Sequence, residues 1–113
     1  MITIYHNPRC GKSRECLAFL ENSNNEFLII KYLENTITFD ILSEILNKLN
    51  LKPIELVRKK EKIWIENYKS KILSDEDIII AMVLNPILIE RPIVVNGNKA
   101  TIARPFEKVN LIL

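Results

Sequence analysis

The sequence predicts a single α/β domain, and the order of its segments carries this prediction. An alternating strand pattern at 2–5 is followed by a helical pattern over about 11–22 and by a nearly continuous apolar run at 27–33. This succession is typical of a parallel βαβ unit. Helical apolar spacing then dominates the middle of the chain, which closes with a β-hairpin pattern over 92–102 and a helical pattern over 105–113.

The central helical stretch carries clear start signals. Thr38 suits the N-cap of a helix with an apolar face, and Pro53 suits the first position of a short helix. Ser74 is followed by three acidic residues, a pattern that predicts a capped helix ending before Pro86. The middle of the chain is therefore expected to be helical.

Composition narrows the class of protein. The 113 residues, 48% of them apolar, suffice for one domain with its own core, without metals or disulfides. The net charge is only +2, and the lysines are scattered, so we expect no nucleic-acid-binding surface. No apolar run approaches the length that spans a bilayer, and no signal-peptide pattern opens the chain. We expect a cytoplasmic monomer that does not contact membranes.

Cys10 is the most informative residue. It lies between the first predicted strand and the following helix, in a run that also contains His6, Arg9, Lys12 and Arg14. A thiol at the start of a helix faces unpaired backbone N–H groups and the positive end of the helix dipole, and nearby cations further favour the thiolate. The alternative is a buried structural cysteine, but such residues usually have apolar neighbours. The pattern favours a reactive thiolate.

The second cysteine, Cys16, has a different setting. A helical step of six residues separates it from Cys10 by about 9 Å of rise, beyond the roughly 7 Å Cα separation that a disulfide allows. Cys16 continues an apolar stripe with Leu17 and Leu20, so we expect a core residue rather than a resolving thiol. The two cysteines and His6 lack a fourth ligand and a recognised metal spacing, so no metal site is expected.

Two arginines occupy matching positions in the predicted hairpin. Arg91 and Arg104 each precede a proline, at opposite ends of the hairpin. A two-residue turn at Asn96-Gly97 predicts that Arg91 lies opposite Ile102, which makes Arg104 its diagonal neighbour. Both side chains would then leave the same face and could converge on one ligand.

Arginines near a thiolate suit one class of ligand. Guanidinium groups are planar, permanently charged and able to bind two oxygens at once, as a tetrahedral oxyanion requires. Arg58, at the end of a short helix, cannot be placed by local pattern. The alternative is that the arginines pair with acids such as Glu90 and Glu107, and spacing alone does not separate these two interpretations.

A resemblance to a known family decides between these two interpretations of the arginines. It is carried by a set of segments that occur in order along nearly the whole chain. The segments are 4–14 (IYHNPRCGKSR), 32–35 (YLEN), 56–59 (LVRK), 85–95 (NPILIERPIVV) and 104–105 (RP). In this combination they closely resemble the glutaredoxin-dependent arsenate reductase family, although each one alone would be weak.

The resemblance implies a thioredoxin-like α/β fold. Its features would be a mixed four-stranded sheet, flanking helices and an all-helical insertion between strands 2 and 3. The core would comprise about 1–34 and 86–113 of the single domain 1–113, and the insertion about 35–85. The resemblance also implies that Pro92 is the cis-proline that faces the active cysteine in such folds.

The resemblance further implies roles for individual residues. Cys10 would be the nucleophile, and the oxyanion would be bound by Arg58, Arg91 and Arg104. Supporting roles, by charge or hydrogen bonding to favour the thiolate, would belong to His6, Ser13 and Arg14. Arg9, directly before the nucleophile, departs from the family pattern and adds positive charge.

The implied activity is the reduction of arsenate to arsenite. The Cys10 thiolate would attack arsenate, glutathione would serve as co-substrate, and glutaredoxin would remove the glutathione as a mixed disulfide, with no bound cofactor. Because Cys16 is out of bonding range of Cys10, turnover requires an external thiol. Longer, resistance-conferring members of the family continue with a C-terminal extension, whereas this chain stops at Leu113.

Two other functions stay open. One is a glutathione-linked thiol-disulfide reductase of the same fold that does not act on arsenate. The other is a redox-sensing transcription regulator that binds RNA polymerase. Such regulators typically carry Cys-x-x-Cys, whereas this chain has Ser13 at the second position.

Overall fold

The computed structural model describes residues 1–113 and has the mixed α/β architecture that the sequence predicts. In chain order the elements are β1 (Ile2–His6), α1 (Gly11–Glu21), β2 (Phe27–Lys31), α2 (Phe39–Leu49), α3 (Pro53–Leu56), α4 (Lys62–Asn67), α5 (Asp75–Leu84), a 3₁₀ helix (Pro86–Leu88), β3 (Ile93–Asn96), β4 (Lys99–Ile102) and a second 3₁₀ helix (Phe106–Leu111). No helix is both long and apolar enough to cross a membrane.

The chain forms two compact units. The first, here the sheet unit, consists of Met1–Asn35 and Arg91–Leu113. The second, here the helical unit, is Thr36–Glu90.

The sheet unit contains all four strands, in the order β2-β1-β3-β4. Strand β1 is parallel to β2 and antiparallel to β3, and β3 is antiparallel to β4. The parallel βαβ unit predicted from the first 33 residues is confirmed. Its crossover helix α1 and the closing 3₁₀ helix pack on a shared core of apolar side chains: Ile2, Ile4, Cys16, Leu20, Val94, Ala103, Val109 and Ile112.

The register brings four chain segments to one end of this sheet. His6 pairs with Lys31, so β1 and β2 end side by side. Tyr5 pairs with Ile93, and Ile93 pairs with Ile102, so β3 begins and β4 ends at the same place. The loop that contains Cys10 leaves β1 here, and we call this the Cys10 end of the sheet.

The helical unit follows the start signals of its sequence. The Ile41 N–H donates to Thr38 Oγ1 at 3.2 Å and caps α2. Ser74 and Asp77 form a reciprocal capping box, in which each backbone N–H donates to the other side chain at 3.1–3.2 Å. Pro53 opens α3. The predicted helical starts are confirmed because each depends on local chemistry.

A short antiparallel pairing ties two distant parts of the helical unit together. The Arg58 N–H donates to Leu88 O at 2.7 Å, and the Glu90 N–H donates to Leu56 O at 2.9 Å. Val57 and Ile89 form the bridge between them. Arg58 and Glu90 are therefore held on adjacent backbone segments.

The predicted hairpin exists, but its predicted register is wrong. Asn96 pairs with Lys99, so the two turn residues are Gly97 and Asn98 rather than Asn96 and Gly97. Gly97 has φ +60° whereas Asn98 does not have a positive φ, the pattern of a type II′ turn with glycine first. The Asn-Gly signal pointed to a turn one residue earlier.

The C-terminal segment also differs from expectation. The helical pattern over 105–113 forms a 3₁₀ helix at Phe106–Leu111 rather than an α-helix. It still packs against the core, since Val109 is fully buried and the Phe106 ring lies 5.2 Å from the Phe19 ring between centroids.

Candidate active site

Cys10 occupies the N-cap of α1. Its backbone is extended, with φ −95° and ψ 123°, and its carbonyl accepts the Arg14 N–H at 3.0 Å as the first bond of the helix. The residue is 9% exposed. Its thiol therefore lies at the turn where backbone N–H groups are unpaired and the helix dipole is positive.

The loop before Cys10 is fixed by three hydrogen bonds. The Cys10 N–H donates to Asn7 O, and the Arg9 N–H donates to Asn7 Oδ1, both at 3.0 Å. Arg14 Nη1 donates to Pro8 O, also at 3.0 Å. The structure thus gives Arg14 a defined contact: it holds the loop that precedes Cys10, and its charge stays near the start of α1.

Ser13 joins the strand β1 to this loop. Its hydroxyl is fully buried, accepts the Asn7 N–H at 3.0 Å and lies 2.6 Å from His6 Nδ1. The contact of Ser13 with His6 is a short hydrogen bond between two buried side chains. Ser13 therefore positions both His6 and the backbone of Asn7.

His6 acts in this network as a neutral imidazole. Burial, together with the positive charges of Lys31 and Arg14, lowers the pKa of His6 below its ordinary value of 6.5. A neutral ring adds no positive charge at physiological pH, so of the two roles that the resemblance implied, only hydrogen bonding is available to it.

Arg91 and Arg104 meet at the Cys10 end of the sheet. The Ala103 N–H donates to Pro92 O at 2.9 Å, which extends the hairpin pairing and places Arg91 opposite Arg104 rather than opposite Ile102. Arg104 Nη1 donates to Arg91 O at 3.3 Å. The two arginines are thus in contact, and the prediction that both side chains leave one face stays a prediction, because both residues lie beyond the paired strands.

Both arginines precede cis peptide bonds. The Arg91–Pro92 bond, expected from the resemblance, and the Arg104–Pro105 bond are cis. The second one had no signal in the sequence analysis.

Arg58 lies in the helical unit and is paired with acids. Its guanidinium is 3.3 Å from Glu61 Oε2 and 3.4 Å from Glu90 Oε1, and its side chain is 23% exposed. Glu90 is one of the acids that the alternative interpretation named. Glu61 was missed, although an acid three residues after an arginine is a recognisable partner signal. For Arg58, the two carboxylates hold the guanidinium in one orientation.

Cys16 is a core residue, as predicted. It is fully buried in the apolar core of the sheet unit, and burial raises the pKa of its thiol to about 11. Its sulfur is therefore protonated and unreactive at physiological pH. Both cysteines are free. No cluster of three or more His, Cys, Asp or Glu side chains could hold a metal ion.

Comparison with known proteins places the chain in a family. The model of the ArsC family matches residues 5–112. The chain belongs to the ArsC family. Among curated relatives of this ArsC-family protein, an arsenate reductase of Haemophilus influenzae is 40% identical over 114 residues, which cover 99% of this chain and 98% of that protein. The uncharacterized Escherichia coli protein YfgD is 46% identical over 110 residues, covering 96% and 92% of the two chains.

A solved structure agrees closely with this ArsC-family protein. The arsenate reductase from Vibrio cholerae superimposes with a TM-score of 0.93 at 43% identity, covering 99% of this chain and 97% of that one. The thioredoxin-like fold predicted from the sequence is confirmed.

The Cys10 end of the sheet holds a helix N-terminus and three cations. In this ArsC-family protein these are the start of α1 and the residues Arg91, Arg104 and Lys31. Lys31, whose charge reaches His6, was missed by the sequence analysis because only the strand register shows that it ends beside the Cys10 loop.

Proposed function

We propose that this protein reduces arsenate to arsenite in the cytoplasm, as a monomer, with glutathione and glutaredoxin as the source of electrons. The observation that carries the proposal is the position of Cys10, a thiol at the N-cap of α1 beside the hairpin ends that hold Arg91 and Arg104. Membership of the ArsC family, whose similar relatives are named arsenate reductases, supports the choice of arsenate.

The first step is a condensation at Cys10. Its thiolate attacks arsenic, a sulfur–arsenic bond forms, and an arsenic–oxygen bond breaks so that one oxygen leaves as water. The incoming anion carries charge on its remaining oxygens, which Arg58, Arg91 and Arg104 would neutralise. No electrons are transferred in this step, and arsenic stays pentavalent.

Two external thiols supply the electrons. Glutathione displaces a second arsenic oxygen as water and forms its own sulfur–arsenic bond. A glutaredoxin thiolate then attacks the glutathione sulfur, a disulfide forms, and the bonding pair stays on arsenic, which becomes trivalent. Hydrolysis of the remaining bond returns Cys10 and releases arsenite. In sum, arsenate and two thiols give arsenite, one disulfide and water, so no bound cofactor is needed.

The network around Cys10 has a positioning role in this scheme. Ser13 and Arg14 fix the loop that carries the nucleophile, and the neutral His6 completes the Ser13 network. Arg58 has a different role from these positioning residues. To bind arsenate oxygens, it must give up its contacts with Glu61 and Glu90.

A coupled assay tests the proposal. Purified protein is supplied with glutathione, glutaredoxin, glutathione reductase and NADPH, and NADPH oxidation is measured with arsenate or with a glutathione mixed disulfide as substrate. We expect arsenate-dependent oxidation that is absent in Cys10→Ser. Turnover of the mixed disulfide above the rate with glutaredoxin alone, lost in Cys10→Ser and without any response to arsenate, would instead identify a thiol-disulfide reductase. No turnover of either, with binding to RNA polymerase, would identify a regulator.

A further inference from the structure

A cleft of about 460 Å³ lies beside Cys10 in the sheet unit. One wall is the loop of Asn7, Pro8 and Arg9, which leads directly into the nucleophile. The other wall is formed by Lys31, Leu33 and Glu34, where the chain leaves β2. The cleft opens here because β1 and β2 are parallel neighbours that end side by side. Its volume falls in the range of small-molecule sites, about 300–1,000 Å³.

Both walls are held in place before any ligand arrives. The first wall is fixed by the hydrogen bonds from Cys10 and Arg9 to Asn7 and from Arg14 to Pro8. In the second, Lys31 O accepts the backbone N–H groups of Glu34 and Asn35 at 3.0 and 2.9 Å. A preformed site binds with a smaller ordering penalty than a mobile one.

The cleft has a defined charge pattern. It presents two cations, Arg9 and Lys31, and one anion, Glu34, beside the apolar side chain of Leu33. None of the three charged side chains takes part in an ion pair in the structure. They are therefore available to a ligand that carries two negative groups and one positive group.

We propose that this cleft binds the thiol co-substrate, a small peptide thiol with two carboxylates and one ammonium group. Arg9 and Lys31 would each pair with a carboxylate, Glu34 would pair with the ammonium, and Leu33 would contact the methylene groups between them. Glutathione has these groups. The inference rests on the proposed function, since it assigns a place to the thiol that the reaction requires.

The position of the cleft fits the next step of the reaction. Asn7, whose carbonyl accepts the Cys10 N–H, lines the cleft, so the cleft adjoins the loop that leads into Cys10. Arg9, which departs from the family pattern, gains a function here that is separate from that of Arg91 and Arg104.

Binding can be tested without catalysis by titrating the full-length protein with S-methylglutathione, whose blocked sulfur cannot react, and following backbone amide resonances by NMR. We expect saturable shifts at Asn7, Arg9, Leu33 and Glu34, and none of them with S-methylcysteine, which has only one carboxylate. Absence of shifts, or shifts confined to other residues, would overturn the proposal. Displacement of the ligand by inorganic phosphate would also overturn it, because the two cations would then belong to the oxyanion site.

Paired variants test the charge pattern. The double variant Arg9→Gln and Lys31→Gln should weaken S-methylglutathione binding about tenfold, as expected for the loss of two partly exposed charge pairs. The matched control is Lys99→Gln with Lys108→Gln, which removes the same charge from exposed positions outside the cleft and should bind like wild type. Equal weakening by both double variants would show a general charge effect and contradict the assignment.

The coupled assay separates this inference from the proposed function. If arsenate is reduced, the Arg9→Gln and Lys31→Gln variant should raise the KM for glutathione about tenfold and leave the KM for arsenate within about twofold. A rise in the KM for arsenate alone would contradict the cleft assignment. If no arsenate is reduced at all, the proposed function fails while the NMR titration still decides whether the cleft binds the tripeptide.

Discussion

Replacing Ser13 with alanine removes one buried oxygen that serves two polar partners. The hydroxyl accepts the Asn7 N–H at 3.0 Å and forms a hydrogen bond of 2.6 Å with His6 Nδ1. Each buried polar group left without a partner costs about 1–3 kcal/mol, so Ser13→Ala should lower the free energy of unfolding by about 2–6 kcal/mol. This is a large part of the roughly 5–15 kcal/mol that stabilises a typical domain.

Urea unfolding followed by circular dichroism measures this loss. The matched control is Ser23→Ala, whose hydroxyl lies in a half-buried position just after α1, donates to Leu20 O at 2.7 Å and accepts from the exposed Asn25. The control should lose no more than about 1.5 kcal/mol, because water can replace the hydroxyl as a partner of the exposed Asn25 and only the bond to Leu20 is partly buried. A loss in Ser13→Ala below about 1 kcal/mol, or equal to that of the control, would refute the two-partner role of Ser13.

Three further predictions concern other residues. Because the pKa of His6 is lowered by folding while the unfolded chain keeps the ordinary value of 6.5, the unfolded state binds more protons, and stability should fall as the pH drops below about 6.5. His6 is the only histidine, so His6→Asn should remove the pH dependence of the urea midpoint above pH 5. An unchanged pH dependence in this variant would contradict the assignment to His6. Cys16→Ser places a hydroxyl in the apolar core and should cost about 1–3 kcal/mol in unfolding free energy, with unchanged turnover per folded molecule. Loss of turnover there would mean that Cys16 takes part in the reaction. Arg91→Ala should reduce kcat/KM for arsenate by about 30- to 1,000-fold, the equivalent of 2–4 kcal/mol for one oxyanion donor, and a decrease below about threefold would exclude that role.

The fold could be predicted where local chemistry decides it. The capping box at Ser74 and the N-cap at Thr38 depend on residues within one helical turn, and both form as expected. The hairpin was also correctly located, but its register depends on which residue adopts a positive φ. Gly97 does so as the first turn residue, and this shifts the pairing of Arg91 from Ile102 to Arg104.

The exposure of β2 could not be predicted from its composition. Its apolar run indicates a strand, yet Leu28 is 54% exposed and Ile29 is 45% exposed. The reason is topological: β2 lies at the edge of the sheet, and edge position depends on the order of strands that are far apart in sequence.

In the candidate site, too, features set by local sequence could be predicted, and features set by contacts between distant segments could not. The position of Cys10 at a helix start is local, and the sequence predicts it correctly. The acid partners of Arg58 and the cleft between Arg9 and Lys31 depend on which segments the fold brings together. Glu90 is 32 residues from Arg58 in the chain, so only the backbone pairing of their segments reveals the contact.

The reactivity of Cys10 toward an alkylating agent tests the central claim most directly. Alkylation by iodoacetamide is followed by peptide mass spectrometry as a function of pH, with and without arsenate, and Cys16 serves as the internal control. The account predicts that Cys10 is alkylated rapidly at neutral pH, that arsenate slows this reaction, and that Cys16 stays unmodified in the folded protein. A Cys10 that reacts only as the pH approaches about 8.5, as an ordinary thiol does, and that arsenate does not protect would contradict it.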